Sequence, residues 1–201
     1  MKKIHKGEAG YIAYERFIRL VKSIVLLAVP LSAYAAAWIV TGTNKNVISV
    51  LSLVCCIPAC MSIVSLIMVY TIRPLPAKDY EEILRHAEGL TMGYELYLTN
   101  GDKNALLDAV CVCGNTITAL ATYKDPDRKA AAEHIENVIR AEGFTVHANV
   151  MDSLPKFLER LDSFAKHRDE LRAGVKEAKD SRIPGVTGEA LYLTYLKNVS
   201  L

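Results

Sequence analysis

The chain has 201 residues, of which 24 are Lys or Arg and 22 are Asp or Glu, so its formal net charge at pH 7 is +2. Hydrophobic residues make up 51% of the sequence although 23% of it is charged, a combination that fits if the apolar residues are concentrated in one part of the chain. This composition excludes a disordered protein, a collagen-like repeat and a small disulfide-stapled domain.

Two uncharged segments follow a basic N-terminal segment, residues 1–22, that contains six cations and two acids. Residues 24–40 and 47–72 contain no charged residue, and a helix needs about 20 apolar residues to cross the hydrocarbon core of a membrane. Because only a short polar turn separates the two segments, the helices must run antiparallel. We therefore predict a transmembrane hairpin over residues 23–72, with spans at about 23–41 and 47–70.

The distribution of cations predicts the orientation of this hairpin. Basic residues precede the first span and follow the second, whereas the turn contains only Lys45. Since positively charged flanks stay in the cytoplasm, we place both termini there and the protein in the cell (inner) membrane. The lipid bilayer is then its first partner, and its anionic inner leaflet attracts the basic N-terminal segment.

Small residues recur every four positions in both spans. They either pack on each other within the hairpin, which we favour, or mediate a homo-oligomer. The two stripes are Ala28, Ser32 and Ala36 in the first span and Ser52, Cys56 and Cys60 in the second.

Residues 73–165 have the pattern of a cytoplasmic α/β domain. The segments predict, in order, a helix over 79–89, strands over 94–98, 105–113 and 116–123, a helix from Pro126 to about 142, a strand over 145–150 and a helix from about Pro155. This order, α-β-β-β-α-β-α, predicts a mixed sheet of about four strands, in which an antiparallel meander is joined by a fourth strand through a helical crossover. Residues 166–201 are predicted to form a charged helix and an amphipathic segment whose last part, 189–199, fits a helix or a strand.

The charge of the domain argues against a nucleic-acid partner. Residues 73–201 contain 17 Lys or Arg and 20 Asp or Glu, a net charge of −3, and the cations form no stripe. Cys111 and Cys113 fall on one face of a strand without further ligands at metal-binding spacing, so we interpret them as small buried hydrophobic residues.

The stretch YELYLTNGDKNALLDAVCVCGNTITALATYK has Asp108 near the start of the second strand and Gly114 at the following turn. It resembles the restriction-endonuclease-like core, and more narrowly the nuclease-related domain, over roughly residues 78–162. The resemblance implies that an Asp on the second strand and a Glu-x-Lys on the third bind a divalent metal that activates water for phosphodiester cleavage. Asp108 matches the aspartate, but the Glu-x-Lys falls on Ala121-Thr122-Tyr123, and Lys124 stands one residue late. The chain also resembles small two-helix membrane proteins of Gram-positive bacteria.

Two classes of function follow. The first is a membrane-anchored cytoplasmic interaction or regulatory module without catalytic activity, whose partner is another protein or a second copy of the chain. The second is a membrane-tethered, divalent-metal-dependent nuclease or hydrolase with a displaced active site, in which Asp108 acts with an acid from the first helix, Glu81, Glu82 or Glu88. We favour the first class and expect no cofactor.

Overall fold

A computed structural model describes residues 3–43, 47–100, 103–122, 127–173, 175 and 178–200. The chain divides into two compact units. One unit is Ile12–Arg73, and the other combines Met1–Tyr11 with Pro74–Leu201. The predicted polar turn between the apolar segments lies in part, at 44–46, outside the described residues.

The first unit consists of two long helices, α1 (Tyr11–Thr41) and α2 (Val47–Thr71). Both are long and apolar enough to cross a membrane, and only 11% of the residues in the most apolar window of each are buried. Helix α1 begins twelve residues before the predicted span at 23, because residues 11–22 supply a continuous run without Gly or Pro. The extra turns contain both charged and apolar side chains, which is why the hydropathy pattern alone did not include them.

The two helices pack against each other in antiparallel directions. Ser23 Oγ lies 2.9 Å from Ser62 Oγ, and Arg19 Nη1 donates to Ser65 Oγ at 2.7 Å. One turn earlier on α1, Arg16 Nε donates to the carbonyl oxygen of Val69 at 3.2 Å. Residues further along α1 therefore contact residues earlier in α2, as expected of antiparallel helices.

The small-residue stripe of α1 does not form this contact. The residues of α1 that are buried between Ser23 and its end are seven apart, at Ser23, Pro30 and Ala37, which is the spacing of a helix seam. The residues at 28, 32 and 36 are exposed instead. On α2, Ser52 and Ala59 are buried whereas Cys60 is exposed. The two predicted stripes thus do not pack on each other, because the helix seam follows a repeat of seven residues and not of four.

The second unit is a four-stranded mixed sheet with helices. Its elements are α3 (Ala77–His86), β1 (Thr91–Asn100), β2 (Lys103–Cys113), β3 (Thr116–Leu120), α4 (Arg128–Ala141), β4 (His147–Met151), α5 (Leu154–Lys166), α6 (Arg168–Arg172) and α7 (Glu189–Val199). The strands lie in the order β1-β2-β3-β4, with antiparallel pairing up to β3 and parallel pairing of β3 with β4. The predicted four-strand sheet and the order of its elements are confirmed. Helix α4 begins after Asp127, whose side chain accepts a hydrogen bond from Ala130 N–H, while the predicted start at Pro126 lies outside the described residues.

Helices cover both faces of the sheet. Helices α4 and α7 bury one face through Ile135, Ile139, Leu191 and Leu196, among others. Helices α3 and α5 bury the other face through a second cluster that contains Tyr80, Ile83, Phe157, Leu161 and Phe164. The segment 189–199 is therefore a helix that packs on its own domain.

Candidate functional site

The pairing of β1 with β2 is interrupted at one position. The register joins Tyr94 to Ala109 and Leu96 to Leu107, so Glu95 and Asp108 stand opposite each other, but they do not form a ladder pair. Glu95 has φ +53°, a left-handed backbone conformation that is costly for a residue with a side chain. Such strain persists only where the surrounding structure over-determines it.

The side chains of both strands change face at this point. On β1, Tyr94 belongs to the core under α3 and α5, whereas Leu96 belongs to the core under α4 and α7. On β2, Leu107 lies in the α4 and α7 core, and Ala109, two residues further, lies in the α3 and α5 core. Residues two apart in a regular strand share a face. The alternation of side chains between the two faces of the sheet therefore reverses at Glu95 in β1 and at Asp108 in β2.

Both carboxyl groups are buried in the domain. Glu95 is 3% exposed, and its Oε1 accepts hydrogen bonds from Tyr80 O–H at 2.9 Å and from Gly10 N–H at 3.1 Å. Asp108 is 1% exposed, and its Oδ2 accepts from Thr122 N–H at 2.8 Å and from Thr122 Oγ–H at 2.7 Å. The other oxygen of Asp108, Oδ1, is buried and has no hydrogen-bond partner among the described residues.

Burial dominates the electrostatics of Asp108, which forms an acid pair with Glu95. It raises the pKa of Asp108 above the ordinary carboxyl value; the hydrogen bonds from Thr122 oppose the rise and the charge of Glu95 adds to it. Burial, together with the neighbouring Glu95 and Asp108, also raises the pKa of Tyr80 far above that of a free phenol. The Tyr80 hydroxyl therefore stays protonated and acts as a donor.

The structure places the four predicted metal ligands in different environments. Asp108 is buried on β2, whereas Glu81 and Glu82 on α3 and Glu88 in the turn beyond it are exposed. Among the described residues, no three His, Cys, Asp or Glu side chains lie together as a metal-binding group. The acid that accompanies Asp108 is Glu95, which the sequence interpretation did not select.

Two positions of the expected Glu-x-Lys motif can be described. Ala121 is fully buried in the core under α4 and α7, so the glutamate position is apolar here. Thr122 binds Asp108 through both its N–H and its hydroxyl group. Tyr123 and Lys124 lie outside the described residues.

The register of the hairpin places Glu95 opposite Asp108. Asn100 pairs with Lys103, and counting back from that pair in regular register brings Glu95 opposite Asp108. The alternation of YELYL instead indicates an exposed glutamate, because period two assigns Glu95 to the face opposite its apolar neighbours.

A second polar cluster surrounds Glu189 at the start of α7. Its carboxylate accepts from Gly114 N–H at 2.7 Å and from Thr91 Oγ–H at 2.8 Å, and Arg172 binds it with two nitrogens at 2.8 and 2.6 Å. Burial would raise the pKa of Glu189, but these hydrogen bonds outweigh it and hold the pKa below the ordinary value. The cluster borders a cavity of about 390 Å³. These four hydrogen bonds to Glu189 connect α7 with α6, β1 and the β2–β3 turn.

The cysteines of the domain have the environment expected of small hydrophobic residues. Cys111 and Cys113 are fully buried, on the face covered by α3 and α5. Burial raises the pKa of both thiols, so neither is a reactive thiolate at neutral pH.

Comparison of this chain with protein-family models, with curated proteins and with solved structures gives no match. Its function is therefore argued from its own residues.

Proposed function

We propose that this protein is a membrane-anchored interaction or regulatory module without catalytic activity, with both termini and the α/β domain in the cytoplasm. The observation that carries the proposal is the outward apolar surface of α1 and α2. Large side chains such as Ile39, Val40 and Leu53 are 81%, 84% and 73% exposed. A soluble protein does not leave contiguous apolar surface of this extent in water, whereas lipid tails solvate it.

The distribution of charge supports the cytoplasmic orientation. Arg16, Arg19 and Lys22 lie on the N-terminal turns of α1, and Arg73 follows α2, so the cations gather at one end of the antiparallel pair. The positive-inside rule assigns that end to the cytoplasm. The domain follows directly after Arg73 and lies on the same side.

Two features support a role in binding. The domain buries Asp108 and carries Ala121 where the resemblance expects a metal-binding glutamate, which argues against catalysis. Helix α1 leaves its small residues, Ala28, Ser32 and Ala36, on its exposed side. Such a stripe permits close approach of another helix in lipid, so the partner is a membrane protein or a second copy of this chain.

Membrane flotation tests the anchoring. Membranes from cells that express the full chain are washed at alkaline pH and floated through a sucrose gradient, which separates membranes from aggregates. We expect the protein to float with the lipid after the wash and to be released only by detergent. Release by the wash, or sedimentation without lipid, would contradict the proposal.

The second candidate function is a metal-dependent hydrolase around Asp108. The juxtaposition of Asp108 with Glu95 favours it, because paired carboxylates are the ligands that Mg²⁺ and Mn²⁺ prefer. Bound metal would raise the melting temperature of the full chain by ligand linkage, and Asp108→Ala would abolish the rise. The burial of Asp108 weighs against this candidate, since a phosphodiester cannot reach an aspartate that is 1% exposed.

A further inference from the structure

We propose that Glu95 and Asp108 form a proton-binding site in which Oδ1 of Asp108 holds one proton, and that this state fastens the N-terminal segment, residues 3–11, to the edge of β1. The inference goes beyond membrane anchoring, because it concerns only groups within the α/β unit.

Two neighbouring buried carboxyl groups favour the binding of one proton. Asp108 receives hydrogen bonds from Thr122 and the unfavourable charge of Glu95. Burying two negative charges at neighbouring positions costs far more free energy than burying one. A pair of this kind therefore keeps a proton at pH values at which surface carboxyl groups have lost theirs.

The hydrogen bonds identify the atom that is protonated. Glu95 Oε1 accepts from two donors, Tyr80 O–H and Gly10 N–H, which is the environment of an anion. Asp108 Oδ2 likewise accepts from two donors, both of Thr122, but Oδ1 is buried and has no donor in the part of the chain that the structure describes. Burying a neutral hydroxyl group at Oδ1 costs much less free energy than burying a charged carboxylate oxygen that has no hydrogen-bond donor. Oδ1 of Asp108 is therefore the atom that holds the proton.

Titratable side chains from α3, β1 and β2 lie in the same core layer. Helix α3 contributes Tyr80, β1 contributes Tyr94 and β2 contributes Cys111, and burial raises the pKa of all three so that they remain neutral. Helix α5 faces this core layer with apolar side chains, Phe157, Leu158, Leu161 and Phe164. In the N-terminal segment, Glu8 accepts from His5 N–H and Lys6 donates to the carbonyl oxygen of Ser200.

The N-terminal segment depends on the same pair. Gly10 N–H donates to Glu95 at 3.1 Å, and Tyr94 N–H, from the residue before Glu95, donates to the carbonyl oxygen of Gly7 at 3.0 Å. These contacts occupy the outer edge of β1 next to the interruption in the sheet. Ionisation of Asp108 would place a second charge opposite Glu95 and force the strands apart where the segment is held.

The direction of the pH effect follows from linkage. Because the folded-state pKa of Asp108 is raised, its contribution to stability is fully present below the unfolded value of about 3.9 and is lost as the pH rises through the folded value. The full chain should therefore lose stability on the alkaline side of that transition, and Asp108→Asn should remove this loss.

The test uses the full chain in lipid bilayers and infrared spectroscopy, which separates the C=O stretch of a protonated carboxylic acid from carboxylate bands. At a pH at which surface carboxyls are ionised, we expect the wild-type protein to show a protonated-carboxyl band that shifts in heavy water. The band should be absent in Asp108→Asn and retained in Asp152→Asn, a control whose aspartate is exposed and paired with Arg128.

Hydrogen exchange and melting temperature complete the test. Peptides that cover residues 3–11 should exchange faster in the wild type as the pH rises, after correction for intrinsic exchange rates, and should stay protected in Asp108→Asn. A band that persists in Asp108→Asn, or protection independent of pH in the wild type, would overturn the proposal. So would a rise in melting temperature with Mg²⁺ or Mn²⁺ that Asp108→Asn abolishes, because the site would then hold a metal in place of the proton.

Discussion

Gly114 and Gly143 both have positive φ, of 57° and 89°, but they differ in what surrounds them. A Cβ atom at Gly114 would lie 2.3 Å from the backbone oxygen of Leu171, whereas no atom of another described residue lies within 4 Å of a Cβ at Gly143. Gly114 also donates its N–H to Glu189. The β2–β3 turn thus requires glycine for its conformation and for the close approach of α6.

We expect Gly114→Ala to lower the free energy of unfolding by about 3 kcal/mol, because left-handed strain and displacement of α6 add. Gly143→Ala introduces only the left-handed backbone strain and should lower the free energy of unfolding by about 1 kcal/mol. Urea titration of both variants of the full chain in mild detergent, followed by near-ultraviolet circular dichroism, measures the difference. Equal costs for the two variants would show that the contact with Leu171 is unimportant.

The sequence indicates some residues of the two polar clusters and hides others for a physical reason. Asp108 is conspicuous because it is an acid within an apolar strand. Glu95 is not, because alternation assigns it to the exposed face and only the left-handed backbone turns it inward. Glu189 is equally hidden, since its four donors come from elements far apart in the sequence.

At the scale of elements, the predicted sheet is confirmed because each strand is flanked by a turn signal and the crossover is a strongly amphipathic helix. Residues 189–199 were open to two interpretations, since Leu, Tyr and Thr suit strands as well as helices. Tertiary packing decides in favour of the helix α7, which covers β1 and packs beside α4.

Two substitutions in α7 test this packing. Leu196 is fully buried, so Leu196→Ala should lower the free energy of unfolding by about 2–5 kcal/mol through lost burial and a cavity. Val199, at the end of the helix, is 41% exposed, so Val199→Ala should change the free energy of unfolding by less than about 0.5 kcal/mol. The same urea titration compares them, and an unaffected Leu196→Ala would mean that α7 does not belong to the core.

At the scale of the whole molecule, the sequence indicates two parts because apolar residues are concentrated before Arg73. It does not indicate that residues 1–11 belong with the α/β domain. That association depends on the backbone hydrogen bond between Tyr94 and Gly7 and on the one that Gly10 N–H donates to Glu95, and contacts of the main chain leave no hydropathy pattern.

Labelling of single introduced cysteines in intact cells tests most directly whether the chain forms a membrane hairpin with a cytoplasmic domain. Thr43→Cys, two residues beyond the end of α1, should react with a membrane-impermeant maleimide added outside. Lys129→Cys, exposed on α4, should react only after the membrane is permeabilised, and the unmodified chain gives the background from its own cysteines. Labelling of Lys129→Cys in intact cells, or protection of Thr43→Cys until permeabilisation, would contradict the account.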